Sequence, residues 1–130
     1  MLLHPAEVEH LITYQVGALQ AFTSSKKLHH VKPHGALYNM AAKDYELSLA
    51  ICRAIKSVDP DLPIYALAGS KTVQAAKIVG IRCAQEVFGD RNYLPDGNLV
   101  PRSEANAVIT DPAKVAAHVI EMIENRSVTA

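Results

Sequence analysis

Pro63-Ile64-Tyr65-Ala66-Leu67-Ala68-Gly69-Ser70 is the stretch on which the fold turns. Up to Ala68 it is a short, nearly continuous apolar run, the pattern of a parallel strand covered on both faces. Gly69-Ser70 then turns the chain, with Ser70 suited to the N-cap of a helix that Gly80 closes. A strand leading through a tight turn into a helix is the unit from which parallel α/β sheets are assembled.

The same alternation extends on both sides. Ile81 to Val87 supplies a following strand. Upstream, Leu47, Ala50, Ile51, Ala54 and Ile55 mark the apolar stripe of a helix from about Lys43 to Val58, stopped by Asp59-Pro60. Before it, Leu28 to Lys32 is expected as a strand that runs into a loop through Asn39. Val8, Leu11, Ile12, Val16, Leu19 and Phe22 recur at helical spacing and predict an opening helix from Pro5 to about Phe22. Asp96-Gly97 between Tyr93-Leu94 and Leu99-Val100 predicts a hairpin excursion across residues 92–102. Asp111-Pro112 then begins a last helix carrying Val115, Val119, Ile120 and Ile123.

The expected fold is therefore α/β, with parallel strands alternating with helices through residues 1–130 as a single partial domain. Three strands leave two open edges, whereas closing a barrel takes about eight. The chain is either a minimal three-layer domain or a section of a larger barrel, and open edges predict self-association or a partner.

Composition narrows the function. Hydrophobic residues make up 49% of the 130, which fits a packed globular domain. Thirteen basic and thirteen acidic residues balance to +0, and the longest basic run is Lys26-Lys27. Nucleic acid is thus not the expected partner. Cys52 and Cys83 lack the spacing of a zinc site and suit buried thiols in a reducing compartment. There is no signal-peptide pattern, and no apolar run approaches the ~20 residues of a membrane span. The expectation is a cytoplasmic protein without membrane contact.

The chemistry concentrates in His30-Val31-Lys32-Pro33-His34-Gly35-Ala36-Leu37-Tyr38-Asn39. At a strand's period of two, His30, Lys32 and His34 share one face. Unpaired charge is costly to bury, so this face needs water, a carboxylate or an anionic ligand. Parallel strands present their carboxyl ends together, so Lys32 and His34 should meet Glu86 there, with Asp90 close beyond it. Lys32, His34, Glu86 and Asp90 form a candidate acid–base set. His30, Gly35, Ser70, Arg91 and Arg102 are candidates for holding an anionic substrate, Ser70 through the N-terminus of its helix. Plainer roles stand beside these: Ser70 as a helix cap, Glu86 as the counter-charge of Lys32, and Asp90 and Arg91 as a mutual pair. His4, His10 and His118 are expected to face solvent, and His29 to pack under a helix.

His30 to Asn39, Glu86-Val-Phe-Gly-Asp-Arg91 and Asp96-Gly-Asn-Leu-Val-Pro-Arg102, with Tyr14 to Leu19 ahead of them, resemble the LamB/YcsF family. That family includes the A subunit of the bacterial ATP-dependent 5-oxoprolinase. The resemblance covers nearly the whole chain but only the family's middle portion. Its acidic Asp-Leu-Gly-Glu-type opening strand and later Val-His-Gly-Asp-type strand are not matched, and Gly89 stands where alanine is commoner. The resemblance implies a section of a (β/α) barrel of the glycoside hydrolase/deacetylase type. It further implies a hydrolase that opens the 5-oxoproline lactam to L-glutamate with ATP and partner subunits. Lys32 and His34 then fall on the Lys-Pro-His-Gly motif, Glu86, Asp90 and Arg91 on the acidic-arginine segment, and Arg102 on the Val-Pro-Arg end. An inactive remnant, or a binding and assembly module of the same fold, is the alternative.

Overall fold

The computed structural model describes residues 3–128. They pack as two compact units, divided after Glu86. The first contains α1 (Pro5–Phe22), α2 (Gly35–Lys43), α3 (Tyr45–Val58), β1 (Ile64–Leu67), α4 (Lys71–Val79) and β2 (Cys83–Glu86). The second begins at Val87 and contains the hairpin loop and α5 (Pro112–Asn125).

β1 and β2 are parallel, with Ile64 beside Cys83 and Leu67 beside Glu86. Val31 adds a single parallel bridge on the other side of β1. Its N–H donates to the Pro63 carbonyl and its carbonyl accepts from Tyr65 N–H, each at 2.9 Å. The predicted strand Leu28–Lys32 is thus one residue of pairing. Pro33, which is buried, has no N–H with which to carry a ladder further. Val31, Ile64 and Cys83 face the helices, where Ile51, Cys52, Ala54 and Ile55 of α3 are the centre of the core.

The expected loop through Asn39 is instead helical, from Gly35 to Lys43, while the helix expected from about Lys43 to Val58 forms as α3 from Tyr45. Asp44 makes the break. Its N–H closes α2 on the Met40 carbonyl at 2.9 Å, and its side chain accepts from Leu47 N–H at 3.0 Å to start α3. One short residue therefore serves as C-cap and N-cap together. α4 runs as expected to Gly80, whose φ of +77° is the left-handed closing conformation that glycine adopts cheaply.

α1 keeps its predicted bounds but not its predicted stripe. Val8, Ile12 and Val16 are buried, whereas Leu11, Leu19 and Phe22 are exposed. His4 is no bystander: its Nδ1 accepts from Ala6 N–H while Glu7 bonds back to His4 N–H, a reciprocal cap.

In the second unit the Asp96-Gly97 turn forms where predicted. Gly97 N–H reaches the Leu94 carbonyl and Leu94 N–H the Asn98 carbonyl, both at 2.8 Å, and Tyr93 bridges antiparallel to Leu99. Asp111 caps α5 by accepting from Ala113 N–H. Among the described residues no helix is long and apolar enough to cross a membrane.

Candidate active site

Side chains on the sheet face opposite the core come from alternate positions, and there Lys32 and Glu86 meet. Lys32 Nζ donates to Glu86 Oε2 at 2.8 Å, joining points of the chain separated by 54 residues. Both side chains are three-quarters or more buried, at 24% and 21% exposed. An ion pair so placed is screened less than one on the surface. The second oxygen, Glu86 Oε1, is buried and has no partner among the described residues.

Two tyrosines that the sequence did not single out complete this face. The His30 ring stacks on Tyr65, with centroids 4.2 Å apart and planes 22° from parallel. Lys32 Nζ lies 5.8 Å from the centroid of the buried Tyr38 ring, within cation–π range. Tyr65 had a legible signal, since it alternates with Ile64 and Ala66 and so must point away from the core. Tyr38 would have been found had Gly35 been read as the start of a helix, one turn below His34.

His34 and Gly35 are exposed at the start of α2, with His34 as the N-cap residue making no side-chain capping bond. Ser70 occupies the corresponding place on α4. It too makes no capping bond, and its Oγ is buried without a partner among the described residues. The turn that carries it is tied to β2: Ala68 N–H donates to the Glu86 carbonyl at 3.0 Å and Gly69 N–H to Gln85 Oε1 at 3.1 Å. Lys32, His34, Glu86 and Ser70 are therefore assembled along one carboxyl edge. His29, expected to pack under a helix, is exposed, with Nδ1 2.9 Å from Nδ1 of His30. The strand alternation that would have turned it under a helix does not apply there, because pairing in this segment is confined to Val31.

Asp90, Arg91 and Arg102 belong to the second unit. Asp90 and Arg102 are exposed there. Arg91 is buried, and its guanidinium donates to the carbonyls of Ala107 at 3.0 Å and Val100 at 2.6 Å. It does not pair with Asp90; it fastens two loop segments. His118, expected to face solvent, is half-buried with Nδ1 3.0 Å from the Gly89 carbonyl. Among the described residues no group of three or more His, Cys, Asp or Glu could hold a metal ion.

The LamB/YcsF family model matches residues 1–130. The chain belongs to the LamB/YcsF family. This LamB/YcsF chain is 57% identical over 126 residues to a protein of Limosilactobacillus fermentum named as the A subunit of 5-oxoprolinase, covering 97% of this chain and 51% of that one. A Bordetella pertussis protein with the same name is 52% identical over 130 residues, covering 98% and 52%. The crystal structure of the lactam utilization protein from Thermus thermophilus superposes with a TM-score of 0.88 at 43% identity, covering 100% of this chain and 53% of that one. The fold is thus a section of that larger parallel α/β architecture. The chain spans about half the length of the curated relatives it matches.

Proposed function

We propose that this chain is a segment of the A-type component of an ATP-dependent 5-oxoprolinase, acting with partner subunits to hydrolyse the 5-oxoproline lactam to L-glutamate. The observation that carries the reading is the Lys32–Glu86 pair, held at 2.8 Å beside the uncapped His34-Gly35 turn. A lactam carbonyl is a poor electrophile, and developing charge on its oxygen is stabilised by a fixed cation. Lys32, held by Glu86 and the Tyr38 ring, is placed to do this. His34, exposed at the same edge, is placed to move a proton between water and the ring nitrogen as it leaves. Asp90 and Arg102 stay secondary candidates for orienting water and holding an anion.

The first unit does not fit a nucleoside triphosphate. The turn Ala68-Gly69-Ser70-Lys71 is too short to wrap a chain of phosphates as a glycine-rich phosphate loop does. ATP is accordingly assigned to the partner subunits, and no step on this chain is routed through it.

The test is glutamate formation from 5-oxoproline and ATP with the partner subunits present. His34→Ala should slow it by roughly 100-fold or more, the usual contribution of a positioned proton donor. An unchanged rate removes the role given to His34. The alternative reading is a binding or assembly module without turnover. Calorimetric binding of 5-oxoproline by the chain, with no glutamate formed when partners are added, would decide for that reading.

A further inference from the structure

The five helices of the described chain start in two different ways. α1, α3 and α5 have their first N–H groups bonded by a side chain, from His4, Asp44 and Asp111. α2 and α4 have no such bond, although His34 and Ser70 stand at their N-caps. These two are the helices that begin at the carboxyl edge of the sheet, and they pack against one another. A serine at an N-cap ordinarily accepts from the second or third helical N–H. Ser70 does not, yet it is only 7% exposed and its Oγ has no partner among the described residues.

A buried hydroxyl left without a partner costs free energy, as does an uncapped first turn. Both costs disappear if Ser70 turns about χ1, so that Oγ leaves the buried position it holds here, and one acceptor meets it and the first-turn N–H groups together. An anion at this terminus would take the Ser70 hydroxyl proton and the free N–H groups of the first turn, where the helix dipole places roughly half a positive charge. The framework around it is fixed. Thr72 Oγ1 lies 3.0 Å from Ser48 Oγ, which donates to the Ala41 carbonyl at 2.6 Å, so the start of α4 is pinned to α2 and α3.

We propose that the N-terminus of α4, with Ser70 Oγ, is the seat of a carboxylate, and that in the lactam substrate it holds the acid group while Lys32 faces the ring carbonyl. The second half of this statement rests on the functional reading above. A carboxylate fits better than a phosphate dianion, because Lys32 is already charge-matched by Glu86 and the seat itself offers only partial charge. The division of labour also answers why Lys32 is not spent on the acid group. A carboxylate there would merely compete with Glu86.

The test uses the 130-residue chain, labelled with ¹⁵N, and three probes: acetate, 5-oxoproline and uncharged 2-pyrrolidinone. Acetate and 5-oxoproline should shift the amides of Lys71, Thr72 and Val73, and 5-oxoproline should bind more tightly than 2-pyrrolidinone. Ser70→Ala should weaken 5-oxoproline by roughly fivefold to tenfold and leave 2-pyrrolidinone unchanged. Ser70→Asp should abolish the preference for the acid, since its carboxylate would occupy the seat as Asp44 and Asp111 do on their helices. A melting temperature at or above the parent's in Ser70→Asp would show that the loss is not misfolding. Amides that do not respond to acetate or 5-oxoproline would overturn the proposal, as would binding of 5-oxoproline unaffected by both substitutions. If acetate shifts these amides and 5-oxoproline does not, the seat is supported and the lactam reading fails.

Discussion

Lys32 and Glu86 meet at 2.8 Å from either side of β1, so this ion pair spans the strand that neither residue belongs to. It ties the Val31 bridge to β2 at the point where Pro33 ends backbone pairing. Its removal should therefore loosen the edge where His34 and Ser70 sit. Glu86→Gln and Lys32→Met are each expected to cost about 1–2 kcal/mol in urea unfolding, with a coupling of about 1 kcal/mol in the double-mutant cycle. A coupling near zero would mean that the pair contributes charge to the site without holding it together.

Arg91 is expected to be a stability residue of the second unit. Its two bonds to the Val100 and Ala107 carbonyls are buried, and a lysine has one ammonium where the guanidinium has a fork. Arg91→Lys should destabilise by about 1–3 kcal/mol, the range for leaving a buried acceptor unsatisfied. Protease cleavage within residues 92–107 should become faster in parallel. If instead stability holds and 5-oxoproline binding falls, Arg91 acts on the ligand after all.

These two cases show how far the sequence could be read. The alternation of strand and helix, the carboxyl-edge location of Lys32 and Glu86, and the Asp96-Gly97 turn were all legible, because each follows from local pattern. The helix from Gly35 to Lys43 was not, since a glycine-led stretch directly after Pro33 and His34 is also compatible with a loop. Nor was the fate of Arg91. A buried arginine bound to carbonyls and an arginine awaiting an anion have the same local sequence, and only the packing of residues 100 and 107 around it tells them apart. The polar run from His30 to His34 looked like a full strand because alternation gives side-chain direction, not the number of backbone bonds.

Gly89 is confined by a neighbouring side chain. A Cβ built there would collide with Cγ2 of Val119 on α5, while the Gly89 carbonyl faces His118 Nδ1 at 3.0 Å. Gly89→Ala should cost about 1–3 kcal/mol by overpacking. Adding Val119→Ala should recover most of it, because Val119 is 37% exposed and loses little on truncation. An additive double mutant would show that the contact is relieved elsewhere.

Cys52 gives a pH prediction whose sign can be worked out. Burial, with a smaller contribution from Cys83, pushes its thiol up from 9.0 to about 12, and burial pushes Cys83 up as well. Below about pH 9 folded and unfolded chains both keep these protons, so the thiols impose no pH dependence. Between about 9 and about 12 the unfolded chain releases the Cys52 proton and the folded chain does not, so stability falls as pH rises through that window. Cys52→Ala should flatten the decline while lowering stability at neutral pH, because it leaves a cavity among Ile51, Ile55 and Ile64. Thiol alkylation provides the independent measurement: at about pH 8, Cys52 should react only at the rate of global unfolding, and Cys83, which is half-buried, should react first. Rapid labelling of Cys52 in the folded chain would show that α3 opens locally at its buried face, and the predicted window would not be seen.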